Sequence, residues 1–121
     1  MEILFRGQKE DGSWVYGGVV RHGDAYFIIK QDQQGTLHKV HVKTKTVQQY
    51  TNVKDSLSNK IFLGDKIRIV EKNSEPKHEW IGYVDFLGGV FAVLTEKNIT
   101  DGGYVDTLAF FKGMCDIYIF N

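Results

Sequence analysis

The order of apolar and polar residues along the chain predicts many short β-strands joined by tight turns. Runs rich in β-branched and aromatic residues alternate with short polar clusters that contain glycine, and the chain has a single proline. No stretch shows convincing helical periodicity. The pattern therefore predicts a mainly β fold, built from small antiparallel hairpins, with little helix.

Three glycine-containing segments locate the predicted hairpin turns. His22-Gly23-Asp24 separates two β-rich runs, and Gly88-Gly89 separates two others. Glu10-Asp11-Gly12 is predicted to turn the chain so that residues 2–7 pair with the run that begins at Trp14. Glycine takes positive φ without steric cost, so each segment suits a hairpin turn.

The C-terminal half predicts strands at 66–71 and 79–86 and a terminal strand in "MCDIYIF". A turn is expected at 101–103, and "YVDTLAFFKG" fits either a strand or one short helical turn. The series of Gly-Asp, alternating strand, loop and Gly-turn hairpin resembles the first half of an SH3-like barrel, a fold that often binds nucleic acid or protein. We therefore expect such a barrel in this half, and infer no function from it.

The chain length fits a single domain of residues 1–121. The pattern equally allows two β subdomains, 1–49 and 62–121, joined by an elbow at 50–61. That elbow is rich in Thr, Asn, Asp and Ser, which hydrogen-bond to nearby backbone in turns.

The segment "TLHKVHVKTKTVQQY" has a clean two-residue alternation and carries the main functional candidates. In an extended chain Lys39, His41, Lys43 and Lys45 project from one face. Alternate residues on a strand are about 6–7 Å apart, comparable with the spacing of phosphates along a nucleic acid. The stripe is the best candidate for nucleic-acid binding in this sequence, although the pattern favours a solvated face whose lysines protect an edge strand.

Other chemistry has little support. Fifteen basic residues balance fifteen acidic ones, which argues against a general polyanion binder. His38 and His41 fall on opposite faces of a strand, so we expect no metal site, and no glycine motif indicates a nucleotide cofactor. Cys115 lies in an apolar strand and is expected to be a core residue. Asp65, Asp85, Asp101 and Asp106 are dispersed, and their convergence is what an enzyme would require.

The segment "VQQYTNVKDSLSNKIFLGDKIRI" resembles the signature of the YopX-like family of small phage and Gram-positive prophage proteins. The matching positions are Val47, Gln49, Tyr50, Thr51, Asp55, Ile61, Gly64 and Asp65. The resemblance implies a phage or prophage origin and a mostly β fold, and it brings no assigned catalytic residues. Tyr50, Thr51, Asp55, Gly64 and Asp65 are expected to have structural roles.

These observations predict a non-enzymatic accessory protein that works as a binding module in the cytoplasm of a bacterial host. The single cysteine, the lack of a signal peptide and the lack of a long apolar run agree with that setting. Apolar residues on both faces of 79–86 and 115–120 predict self-association. The partner is a host or phage protein or a nucleic acid, and the alternative function is an enzyme that acts on nucleic acid through its dispersed carboxylates.

Overall fold

The computed structural model describes residues 1–73, 75–96 and 105–120. Strand accounts for 58% and helix for 9%, which confirms the mainly β prediction. The strands are β1 (Phe5–Gln8), β2 (Trp14–His22), β3 (Ala25–Gln31), β4 (Leu37–Val42), β5 (Gln48–Lys54), β6 (Lys60–Phe62), β7 (Lys66–Glu71), β8 (Glu79–Leu87), β9 (Val90–Thr95), β10 (Val105–Thr107) and β11 (Cys115–Ile119). In the same described ranges, a 3-10 helix spans Thr44–Thr46 and an α-helix, α1, spans Leu108–Met114.

The chain divides into two compact units, Met1–Tyr50 and Thr51–Asn121. In the first unit, antiparallel strands lie in the order β4-β3-β2-β1-β5. The predicted turn at Gly23 is confirmed, since His22 pairs with Ala25 and Gly23 has a φ of 60°. The turn at Glu10–Gly12 is also confirmed, with β1 beginning at Phe5 instead of residue 2.

The core of the first unit forms on one side of this sheet. Val15, Ile28 and Val42 are its buried residues, one from each of three strands. Gly17 faces the same side, where a Cβ atom would overlap the carbonyl oxygen of Ile29. The close approach of β2 and β3 therefore requires glycine at this position.

The second unit is built on a five-stranded antiparallel sheet in the order β10-β9-β8-β7-β11. Its core includes Ile67, Ile69 and Ile117 from the sheet, and α1 adds Leu108 and Phe111. The helix begins after Thr107, whose hydroxyl accepts a hydrogen bond from the Phe110 backbone N–H.

The SH3-like barrel predicted for the C-terminal half is not confirmed, because the sheet does not close. The hairpin turn at Gly88-Gly89 is confirmed, with φ values of 60° and 86° and Leu87 paired with Val90. "YVDTLAFFKG" contains both predicted alternatives, since β10 runs directly into α1. The predicted turn at 101–103 lies outside the described residues.

The segment expected to be an elbow, residues 50–61, supplies the end of β5, a turn and the start of β6. The turn at Asp55–Asn59 lies against β11. The Ser56 backbone N–H donates to the Ile117 carbonyl at 2.7 Å, and the Ile117 N–H donates to the Ser56 hydroxyl at 2.9 Å. The Ile119 N–H donates to the Asp55 carboxylate at 3.2 Å. The turn therefore occupies the outer edge of β11.

Within the described residues, no helix has the length and apolar character needed to cross a membrane.

Candidate nucleic-acid interface

The four basic residues of the predicted stripe are all exposed, but they do not share one strand. Lys39 and His41 lie on β4, where the alternating residues Val40 and Val42 face the core. The alternation ends at Val42, since Lys43 precedes the 3-10 helix and Lys45 lies within it. Of the four residues, Lys39 and His41 are therefore the two that occupy alternate positions on a strand.

The 3-10 helix breaks the stripe because it is bonded to distant parts of the first unit. The Lys43 backbone N–H donates to the Gln8 carbonyl at 2.8 Å, and the Thr46 hydroxyl accepts from the Gln8 N–H at 2.8 Å. The Thr44 hydroxyl donates to the Asp24 carbonyl at 3.4 Å. Lys43 and Lys45 therefore lie beside the β2–β3 turn, at the end of the sheet where β4 finishes.

Strand register places aromatic residues beside Lys39 and His41. Phe27 on β3 pairs with His41, and it pairs with Val20 on the other side. In the adjacent row, Ile29 pairs with Lys39. Paired residues in a sheet point to the same side, so these side chains share the surface opposite the core.

The ring of Phe27 is the centre of this surface. The Lys39 ammonium lies 4.4 Å from its centroid, a cation–π distance. The His41 ring lies 5.3 Å from it and the His22 ring 5.9 Å, centroid to centroid. We call the surface formed by Gly18, His22, Phe27, Lys39 and His41 the first-unit face.

Two further properties suit the first-unit face to a flat ligand. Among the described residues, no carboxylate forms an ion pair with Lys39 or His41, although His38, on the core-side row of β4, is 2.8 Å from Asp32. Gly18 is exposed, and a Cβ atom built on it would meet nothing within 4 Å. A glycine inside a strand with open space above it lets a ligand approach the backbone closely.

Phe27, His22 and Gly18 are absent from the sequence-based candidate set. Each lies on a strand or turn that the sequence predicts, but only the pairing of β2, β3 and β4 shows that they lie beside Lys39 and His41. The signal that could identify them is the register of the β3–β4 hairpin, which places Phe27 of "AYFIIK" opposite His41.

The residues of the family signature are mostly internal. Tyr50, Thr51, Asp55 and Asp65 are all buried, and Gly64 has a φ of 92°. The Thr51 hydroxyl donates to the Ile61 carbonyl at 2.7 Å. Asp65 accepts from the Phe62 N–H at 2.8 Å. These contacts stabilise turns and strands of the second unit and present no polar group to a ligand.

Asp55 is the acceptor at the centre of its turn. Burial on its own would raise the pKa of Asp55, but hydrogen bonds from the Asn59 and Ile119 backbone N–H groups, the Asn59 side chain and the Leu57 N–H lower it below the ordinary value. The shortest of these bonds is 2.8 Å, from Asn59 N–H. The carboxylate is therefore held in its charged form by the fold.

The carboxylates that the enzyme alternative needs differ in their exposure to solvent. Asp65 is 1% exposed, whereas Asp85 is exposed on β8. Asp101 lies outside the described residues. Across 1–73, 75–96 and 105–120, no group of three His, Cys, Asp or Glu side chains is placed to hold a metal ion. Burial, and then the charge of Glu71, raise the pKa of the Cys115 thiol, which opposes formation of a nucleophilic thiolate.

No protein-family model matches this chain, and neither a curated protein nor a solved structure gives a significant match. The resemblance to the YopX-like family, and the origin that it implies, therefore stay predictions.

Proposed function

We propose that this protein is a non-enzymatic accessory module of phage or prophage origin that binds single-stranded nucleic acid through the first-unit face in the cytoplasm of a bacterial host. The observation that supports this proposal is the Phe27 ring, which has the Lys39 ammonium 4.4 Å from its centroid and a histidine ring on either side. Aromatic and cationic groups on an exposed sheet are the two components that single-strand binding requires.

The aromatic component supplies stacking. Each base that stacks on an aromatic side chain contributes about 1–3 kcal/mol, and every base has a suitable ring face. Phe27 and His41 are paired on β3 and β4, and the His22 ring on β2 lies diagonally across from Phe27. A base can occupy the open space above Gly18, beside these rings. Bases of a duplex are already stacked on each other, so this geometry favours single strands.

The cationic component supplies attraction to phosphate. Lys39 lies on the face itself, and Lys43 and Lys45 are exposed at the end of the sheet nearest His22. Each neutralised phosphate on a single strand makes log affinity fall by about 0.7 for each unit increase in log salt concentration. Three lysines are enough to give binding a clear dependence on salt.

The connectivity of the first unit agrees with a small binding module. Its strands form a meander in which β5 returns to β1 after the 3-10 helix. Because one fold carries many unrelated functions, the connectivity concerns the fold alone and the proposal rests on the first-unit face.

The test is a binding titration of labelled oligothymidylate, oligouridylate and duplex DNA across a salt series. Two variants probe the face and the lysines at its end: Gly18→Glu, which places a carboxylate in the open space, and the triple variant Lys39→Ala, Lys43→Ala, Lys45→Ala. A second triple variant, Lys30→Ala, Lys72→Ala, Lys77→Ala, makes the same change in net charge at exposed positions outside the face and serves as the control.

We expect both single strands to bind more tightly than the duplex, and Gly18→Glu to abolish binding. The face triple variant is expected to reduce the salt slope by about 2, whereas the control variant keeps most of the affinity. Equal losses in the two triple variants, or unchanged binding by Gly18→Glu, would overturn the proposal. Salt-independent capture of a host or phage protein in place of nucleic acid would assign the module to a protein partner.

Self-association is part of the proposal and concerns the second unit. Two aromatic side chains on one side of its sheet are exposed, with Tyr83 at 40% and Phe120 at 46%, and both lie beside the Lys66 ammonium. An apolar surface of this kind is typical of contacts between copies of a chain. Sedimentation of the wild type and of Tyr83→Ser/Phe120→Ser tests it, and a wild type that remains monomeric at micromolar concentration contradicts it.

A further inference from the structure

A cleft opens in the second unit between α1 and one end of its sheet. Its volume is about 510 Å³, within the range of about 300–1,000 Å³ that small-molecule sites occupy. Phe111 and Cys115 are buried there, and Trp80, Phe110 and Met114 also line it. The cleft therefore has an apolar, largely aromatic lining.

Two polar residues, Glu71 and Asn73, line the cleft where β7 ends. Glu71 is the charged member of the lining, and its carboxylate also contacts the His78 ring nitrogen at 3.0 Å. The Glu71 side chain is 29% exposed, so its negative charge is partly shielded from water. A partly shielded carboxylate beside aromatic rings attracts a cation more strongly than a fully solvated one.

The exposed parts of α1 indicate that the cleft is open to ligands. Phe110 is 42% exposed and Met114 57% exposed, although both are large apolar residues. They are held in place by the helix, which packs through Leu108 and Phe111. A ligand that covers these two side chains gains hydrophobic burial without reorganising the core.

We propose that this cleft is a binding site for a small organic cation, a flat aromatic group that carries an alkylammonium. The ring lies among Trp80, Phe110 and Met114, and the ammonium faces the carboxylate of Glu71. Aromatic faces attract cations, and the carboxylate adds an ionic partner on one side only, which gives the ligand its orientation. An anionic ligand of the same shape meets repulsion from Glu71. This site is separate from the first-unit face and does not depend on the proposed nucleic-acid binding.

The two tryptophans allow a direct test by NMR, since Trp14 lies in the first unit and Trp80 lines the cleft. Tryptamine is titrated into the intact ¹⁵N-labelled protein, and indole-3-propionate is the probe of similar shape and opposite charge. The indole N–H signal of Trp80 reports binding, and that of Trp14 is the internal control. We expect tryptamine to shift the Trp80 signal saturably and to bind at least about tenfold more tightly than the propionate, a difference of about 1.4 kcal/mol.

Substitutions separate the roles of charge and ring. Glu71→Gln is expected to remove the preference for tryptamine, whereas Asp85→Asn, an equivalent change at an exposed site farther along β8, keeps it. Phe110→Ala is expected to weaken both probes to a similar extent while leaving the buried face of α1 intact. Equal binding of the two probes to the wild type, a preference that survives Glu71→Gln, or no shift of the Trp80 signal at millimolar tryptamine would each overturn the proposal.

Discussion

Both units carry a sheet face with aromatic and basic residues, but the two faces differ in how their charges are balanced. On the second unit, strand register brings Lys66, Arg68, Tyr83 and Tyr118 to one side, and Phe120, just after β11, contacts Lys66 there. We call these five residues the second-unit face. The Lys66 ammonium lies 5.6 Å from the Tyr83 centroid and 5.2 Å from that of Phe120. The Arg68 guanidinium carbon lies 4.8 Å from the Tyr118 centroid. By residue type, this face resembles a single-strand platform as closely as the first-unit face does.

The two faces differ in whether carboxylates form ion pairs with their basic residues. Arg68 contacts Glu79 at 2.8 Å, and Lys66 contacts Glu96 at 3.6 Å. Exposed pairs of this kind contribute little to stability, at about 0–1 kcal/mol, but each places a negative charge beside the cation and so lowers the positive potential of the face. Among the described residues, no acidic partner of this kind accompanies Lys39. A count of aromatic and basic residues is therefore a poor indicator of a polyanion site, and the neighbouring carboxylates decide.

The largest effect is expected from Asp55→Ala, which should lower the unfolding free energy of the second unit and leave that of the first unit unchanged. Loss of the carboxylate leaves the backbone N–H groups of Leu57, Asn59 and Ile119 without their acceptor, and we expect the second unit to lose about 3–4 kcal/mol of unfolding free energy. Urea unfolding followed at the Trp80 and Trp14 signals measures this for each unit. If nucleic-acid binding disappears while the first unit remains folded, the assignment of binding to the first-unit face is wrong.

The charge of Asp55 also predicts a pH dependence. Its folded pKa is lowered, so its contribution to stability is complete above its unfolded pKa of about 3.9 and is lost as the pH falls through the folded pKa. The difference in unfolding free energy between the wild type and Asp55→Asn is expected to shrink as the solution is acidified through this range. A difference that stays constant down to strongly acidic pH would show that the charge contributes nothing.

A matched pair of glycine substitutions tests the platform of the first unit. Gly17→Ala forces a Cβ atom against the Ile29 carbonyl and is expected to cost about 2–3 kcal/mol, whereas Gly18→Ala, one residue later, meets open space and is expected to cost less than about 1 kcal/mol. Thermal unfolding of both variants measures the costs. Equal costs would contradict the assignment of Gly18 to an open face.

Matched aromatic substitutions compare the two faces directly. Phe27→Ala is expected to weaken oligothymidylate binding about tenfold, equivalent to one lost stacking contact of about 1.4 kcal/mol, and Tyr83→Ala is expected to leave it unchanged. Fluorescence anisotropy at one salt concentration is sufficient. A larger loss in Tyr83→Ala than in Phe27→Ala would reverse the roles of the two faces.

The smallest expected effect is a change in affinity for single strands, and it tests directly whether neighbouring carboxylates weaken a basic face. Replacing Glu79 and Glu96 with glutamine removes the partners of Arg68 and Lys66, and is expected to raise affinity for single strands by about threefold, mainly at low salt. Glu2→Gln/Glu10→Gln in the first unit provides the same change in net charge. A gain of equal size in both double variants would show that the change in net charge, and not the loss of the ion-pair partners, raises the affinity.

Local features account for what the sequence predicts well. The turns at Gly23 and Gly88-Gly89 depend on residues adjacent in the chain, and the glycines themselves predict them. The end of the basic stripe at Val42 was not predictable from alternation, because the 3-10 helix that follows is bonded to Gln8, far away in sequence. The same limit applies to the proposed sites. Phe27 joins Lys39 only through strand register, and the cleft combines residues from β7, β8 and α1.

The turn at Asp55–Asn59 has a consequence for the order of folding. Its bonds to β11 join residues 61 and 64 positions apart, from Ser56 to Ile117 and from Asp55 to Ile119. In the first unit the strand pairs β1–β2, β2–β3 and β3–β4 are neighbours in the chain, and its longest pairing, β1–β5, joins Phe5 to Gln49. Closing a long loop costs more entropy before any contact compensates for it, so high contact order slows folding. We therefore expect the first unit to fold earlier. In the second unit, we expect β11 to be among the last strands to pair, after the Asp55–Asn59 turn has formed.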